Sequence, residues 1–113
     1  MMTSNQRNAE LLKKHCAKSS KLVAADNIKA DLVALPGWQL EGQSIAKTFT
    51  FKDYHETIAF VNATAEISHK ENHHPDLAVS YDKCVVTYST HDAGGVTEND
   101  LICAAKVEQA ARK

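Results

Sequence analysis

Three of the six histidines in this 113-residue chain fall where a folded chain can gather them. His73 and His74 form a doublet ahead of Pro75, and His91 follows a long apolar run. An imidazole titrates near neutrality, so one ring can give a proton while another accepts one. Two or three converging rings suit a reaction that removes one proton and protonates a departing hydroxyl, which is a dehydration. Asp92, beside His91, is placed to set a tautomer or shift a pKa. The competing chemistry is metal binding. His69 and His73 are four apart, which would put both on one helix face, as in many zinc pairs. Against this, no Glu occupies the HExxH position, and Lys70-Glu71-Asn72 ahead of Pro75 reads as a helix ending. No serine or cysteine has an obvious base; Ser89 is near His91 only along the chain. The plainest alternative is a polar turn with exposed rings, and a convergence of all three rings weighs against it.

That convergence needs a hairpin. Leu77–Tyr81 and Cys84–Tyr88 alternate in polarity and are rich in β-branched and aromatic residues, which predicts two strands with Asp82-Lys83 as the turn. The pairing sets Tyr81 opposite Cys84, His74 opposite His91 and His73 opposite Asp92. It depends on register, because a slip of one residue reverses the faces. Upstream, Trp38–Leu40 and Ile45–Phe51 predict another hairpin about Gly42. Ile45, Phe49 and Phe51 lie on one side of it, and Ala46, Thr48 and Thr50 on the other. Trp38 reads as a packing residue.

Helices connect these hairpins. Ser4 is a candidate cap for a first helix carrying Leu11, Leu12, His15 and Cys16. Asp26 or Asn27 opens a second, with Ile28, Leu32 and Leu35 on one face and Pro36-Gly37 ending it. Asp53 with Glu56 resembles a capping box and opens a third, through about His69. Its stripe of Tyr54, Ile58, Val61 and Ala65 is expected to pack on the sheet. After a flexible Asp92–Gly95 loop, Thr97 begins the last helix. Glu98 and Asp100 complement its dipole, Leu101, Ile102, Ala104, Ala105 and Val107 form its apolar side, and Arg112 and Lys113 close it. The predicted class is α+β: a four-stranded antiparallel sheet with helices on one face (α-β-β-α-β-β-α), preceded by an N-terminal helical extension. Residues 1–26 form the extension and 27–113 the domain. The sheet's other face needs cover, which an oligomer can supply.

Composition narrows the function. The net charge is -1, so no overall basic field is available to hold nucleic acid. No apolar run reaches membrane-span length and no signal-peptide core is present, which predicts a cytoplasmic protein without a membrane partner. The alternative is an organellar targeting role for the basic N-terminus. Cys16, Cys84 and Cys103 are odd in number and lack CxxC spacing. They read as reduced, small hydrophobes.

The spaced pattern His69, His73-His74-Pro75, Tyr81, His91, Asp100 resembles the signature of the pterin-4a-carbinolamine dehydratases. Gly37-Trp38, Leu40-Glu41-Gly42, Phe49–Tyr54 and Ser89–Asp92 are similar to the family's flanking segments, so the resemblance covers about residues 27 to 111. It implies removal of water from 4a-hydroxytetrahydrobiopterin to give the quinonoid dihydropterin, which recycles the cofactor of aromatic amino acid hydroxylases. It implies no metal and no organic cofactor. The catalytic residues carried over are His73, His74 and His91. The pterin pocket carried over is His73, His74, Pro75, Thr90, His91, Asp92 and Ala93. It also implies a homodimer or homotetramer. A different class of function, a non-catalytic dimerisation cofactor of a transcription factor or a scaffold, is known among such proteins. This sequence departs from the family in three places: His69 stands where glutamate is frequent, and Leu77 and Ala93 where Trp and Cys are frequent.

Overall fold

The computed structural model describes residues 3–112, and Lys113, expected to close the last helix, lies outside them. Four helices, α1 (Ser4–Lys13), α2 (Ala25–Leu32), α3 (Tyr54–Glu71) and α4 (Glu98–Ala111), accompany four strands, β1 (Gln39–Glu41), β2 (Ser44–Thr50), β3 (Asp76–Val79) and β4 (Lys83–Tyr88). A short 3-10 turn occupies His91–Ala93. The strands form one antiparallel sheet in the order β1-β2-β4-β3, so the two hairpins join through β2 and β4. This is the α+β arrangement expected from the alternating patterns.

The pleat sorts the side chains. Ile45, Phe49, Cys84, Val86 and Tyr88 are buried on the inner face, while Thr48 and Thr50 face outward, exposed. Trp38 packs edge-on against Phe49 and donates its indole N–H to Glu108 at 3.1 Å. It is a core residue, as predicted. α4 crosses the inner face and is buried on nearly every side.

Local capping differs from expectation at the first two helices. Thr3, one residue before Ser4, caps α1. Its hydroxyl accepts from the Gln6 N–H at 3.1 Å, and the Gln6 side chain accepts from the Thr3 N–H at 2.8 Å. The helix stops at Lys13, so His15 and Cys16 lie in the segment that follows it. α2 begins after Ala24 with no side-chain cap, and Asp26 sits in its first turn. Asp53 does cap α3, accepting from the Glu56 N–H at 2.9 Å.

The buried face of α3 is not the apolar stripe. Thr57, Phe60, Thr64, Ser68 and Glu71 are buried, whereas Tyr54 and Ala65 are exposed. At 100° per residue this turns the packed face by about 90° from the expected one. Burial is possible because each hydroxyl bonds within its own helix segment. Thr57 donates to the Asp53 carbonyl, Thr64 to that of Val61 and Ser68 to that of Thr64.

The β3–β4 register also differs. Val79 lies opposite Cys84 and Leu77 opposite Val86, and the Ser80 N–H donates to the Lys83 carbonyl at 2.9 Å. The turn is therefore Tyr81-Asp82, and β3 is displaced by two residues from the predicted pairing. The ladder begins at Asp76, directly after Pro75, which has no N–H to donate. His74 is consequently not paired with His91, nor His73 with Asp92.

Candidate active site

The site begins where α3 ends. Asn72 adopts the left-handed conformation (φ 50°, ψ 42°) and its N–H donates to the Ser68 carbonyl, as does the His73 N–H at 3.3 Å. Asparagine tolerates this region better than most side chains, and the reversal stops the helix and turns His73 inward. The His73 ring stacks on Tyr88 of β4, with centroids 5.8 Å apart and planes 11° from parallel. Its side chain is 13% exposed.

Asp100, fully buried in the first turn of α4, meets this ring. His73 Nε2 lies 2.5 Å from Asp100 Oδ1. The other carboxylate oxygen accepts from the Thr90 hydroxyl and from the Thr97 N–H, each at 2.9 Å. Thr90 and Thr97 hydroxyls are themselves 2.8 Å apart. A buried carboxylate needs its lone pairs filled, and the helix N-terminus favours its charge. With an ionised Asp100 accepting, the proton of a neutral His73 ring sits on Nε2, which leaves Nδ1 as the acceptor nitrogen. Asp100 thus connects the segment ahead of β3 to the segment after β4.

That second segment is a closed loop. The Thr90 N–H donates to the Gly95 carbonyl at 2.9 Å, and the N–H groups of Ala93 and Gly94 return to the Thr90 carbonyl at 3.1 and 3.0 Å. Gly94 turns the chain with a φ of +80°. His91 and Asp92 project from this loop exposed, and Ala93 is half-buried. Next to His73 in the chain, His74 is exposed and Pro75 half-buried. Of the seven residues expected at the site, His73 and Thr90 are joined through one carboxylate, and the others flank them in sequence.

The helix-dipole role expected of Asp100 understates it, and Tyr88 was not anticipated at all. Two signals were available for Asp100: its place at the end of the family-like histidine pattern and the Thr-x-x-Asp start to an apolar helix. Among the described residues no group of three or more His, Cys, Asp or Glu side chains is placed to hold a metal ion. His69, the expected partner of His73 in such a site, is exposed on α3.

A family model described as pterin 4 alpha carbinolamine dehydratase matches residues 21–110. A provisionally named pterin-4-alpha-carbinolamine dehydratase of Xanthomonas campestris pv. campestris is 61% identical over 80 residues, covering 69% of this chain and 68% of the relative. A protein of the same provisional name from Bdellovibrio bacteriovorus is 48% identical over 103 residues, covering 88% and 86%. Among solved structures, a transcriptional coactivator/pterin dehydratase from Brucella melitensis superimposes with a TM-score of 0.75 at 34% identity, over 79% of this chain and 97% of that one. A pterin dehydratase-like protein described as a RuBisCO assembly factor in the alpha-carboxysome superimposes with a TM-score of 0.55 at 27% identity, over 66% and 86%.

Proposed function

The chain belongs to the pterin 4 alpha carbinolamine dehydratase family, and on that premise we propose that it dehydrates 4a-hydroxytetrahydrobiopterin to the quinonoid dihydropterin. The observation that carries this reading is the buried His73–Asp100–Thr90 arrangement. A histidine held by an enclosed carboxylate is oriented for proton transfer, with one nitrogen committed and the other available. His73, His74 and His91 are the proposed proton-transfer groups. One protonates the departing C4a hydroxyl, and another accepts the proton of the ring nitrogen as the new double bond forms. Pro75, Thr90, Asp92 and Ala93 complete the pterin pocket. The reaction asks for no cofactor. The proposed setting is a cytoplasmic homodimer or homotetramer that serves an aromatic amino acid hydroxylase.

Stopped-flow dehydration of chemically generated carbinolamine tests this. His73→Ala and His91→Ala should each slow the reaction by ~10²-fold or more, with the circular dichroism spectrum retained. Wild-type protein that leaves the spontaneous rate unchanged overturns the reading. A second reading, a binding or assembly role without turnover, draws on the likeness to the Brucella coactivator and the carboxysome assembly factor. It predicts no rate difference between the wild type and either variant.

A further inference from the structure

The segment between α1 and α2 is strapped across α3 and α4. The Cys16 N–H donates to Glu71 Oε1 at 2.7 Å. Ala17 and Asn99 exchange two hydrogen bonds, one from the Ala17 N–H to Asn99 Oδ1 at 3.0 Å and one from Asn99 Nδ2 to the Ala17 carbonyl at 2.9 Å. Further on, the Val23 N–H donates to the Val96 carbonyl at 2.9 Å. Cys16 is therefore pinned from both sides, and its Sγ lies 3.5 Å from Cys103 Sγ of α4. The two thiols stand 87 positions apart in sequence. Cys103 is fully buried and Cys16 half-buried, so a reagent from solvent meets Cys16 first. Behind them lies the Tyr88 hydroxyl, which is buried with no hydrogen-bond partner among the described residues and bordered by Ser68 and Cys103.

We propose that Cys16 and Cys103 are a thiol–disulfide site, whose bridge covalently staples the N-terminal strap to α4 behind the His73 ring. Closing the gap to a bond of about 2.05 Å asks each sulfur to move by less than about 1 Å. The oxidant is a small-molecule disulfide of the glutathione type. The Cys16 thiolate attacks one of its sulfurs, forming a mixed disulfide and releasing one thiol, which takes up the Cys16 proton. Cys103 sulfur then attacks Cys16 Sγ and expels the second thiol, which takes up the Cys103 proton. Two electrons pass from the protein to the small disulfide, which leaves as two thiols. Hydrogen bonding to Cys16 and burial push the Cys103 thiol up, so thiolate is scarce there. Proximity must compensate, and equilibrium rather than initial rate is the informative readout. The third thiol, Cys84, is buried in the sheet and serves as the internal control.

The test equilibrates full-length protein in glutathione buffers of graded ratio, then maps its peptides by mass spectrometry and measures urea unfolding. The expected product is one intramolecular bridge joining the Cys16 and Cys103 peptides, reversed by dithiothreitol, with Cys84 free. Oxidation should raise the wild-type urea midpoint by about 1 M or more, because the bridge closes a long loop. Cys84→Ala should behave as wild type, Cys103→Ala should stop at the glutathione adduct on Cys16, Cys16→Ser should form no bridge, and neither of the last two should gain the rise in urea midpoint. In the wild type, three free thiols in oxidised glutathione, a persistent glutathione adduct on Cys16, a bridge to Cys84, or a bridge that leaves the midpoint unmoved each overturns the proposal. None of these readouts depends on dehydratase activity.

Discussion

At the scale of single residues, Asp100 is the group on which the proposed chemistry turns. Its carboxylate accepts from His73, Thr90 and Thr97, so it touches both segments that carry the proposed proton-transfer histidines. Asp100→Asn keeps the size but can offer an N–H to His73 Nε2, which would reverse the favoured tautomer. The expected result is a ~10²-fold fall in dehydration rate with a KM within a few-fold of wild type, read by stopped-flow. Sequence showed Asp100 as an acid in a helix first turn, where it complements the dipole, and as the last position of the family-like pattern, but not as the partner of His73. Its second role depends on a ring 27 positions away, a separation that no local pattern encodes. The same holds for Tyr88. Its alternation marks it as a core residue, but nothing local says that its ring lies against an imidazole.

At the scale of elements, the end of α3 aims His73. A β-branched side chain at Asn72 would clash in the left-handed region. Asn72→Val should cost about 1–2 kcal/mol in urea unfolding, whereas Asn72→Gly should stay within a few tenths. Equal losses from the two variants would show that the left-handed turn is not what ends the helix. The helix end itself was legible from Lys70-Glu71-Asn72 and Pro75. The packed face of α3 was not, because Thr57, Thr64 and Ser68 look polar in sequence and become compatible with a core only when their hydroxyls bond backward. The β3–β4 register was misjudged for a related reason. Asp82-Lys83 is a plausible turn by composition, but Tyr81-Asp82 puts Leu77 opposite Val86 and Val79 opposite Cys84. β3 is the edge strand and pairs only with β4, so its register is fixed by that one ladder, and the turn residues accommodate it.

At the scale of the whole molecule, the N-terminal segment is integrated with the sheet-and-helix domain. α1 packs on α4, and Leu11 is fully buried in the core cluster. Arg7 pairs with Asp31 at 3.0 Å, with Glu98 at 3.4 Å and with Glu10. Leu11→Ala should therefore destabilise the protein by ~2–4 kcal/mol in urea unfolding. A loss below about 1 kcal/mol would show that α1 is dispensable to the core. Glu71 adds a pH signature to the same contact. Burial alone would raise its carboxyl, but the Cys16 N–H, His15 and Lys106 outweigh burial and hold it below its usual value near 4.5. A depressed folded-state pKa contributes stability above the unfolded value, and that contribution disappears as pH falls through the folded value. Thermal unfolding of wild type and Glu71→Gln should thus differ most above pH 4.5 and converge in more acidic buffer. A constant difference across that window would remove Glu71 ionisation as the cause.

Sequence alone was sufficient for the class of fold, the order of its elements, the cap of α3, the inner face of the first hairpin and the histidine pattern that resembles the family. These are properties of neighbouring residues: alternation, helical spacing, punctuation by proline and glycine, and motif spacing. Tertiary structure alone decided that Asp100 partners His73, that Tyr88 backs the ring, that small hydroxyl residues line the packed side of α3, and that Cys16 meets Cys103. Each of those depends on where two distant segments come to rest, and that is set by the mutual fit of sheet, helices and strap.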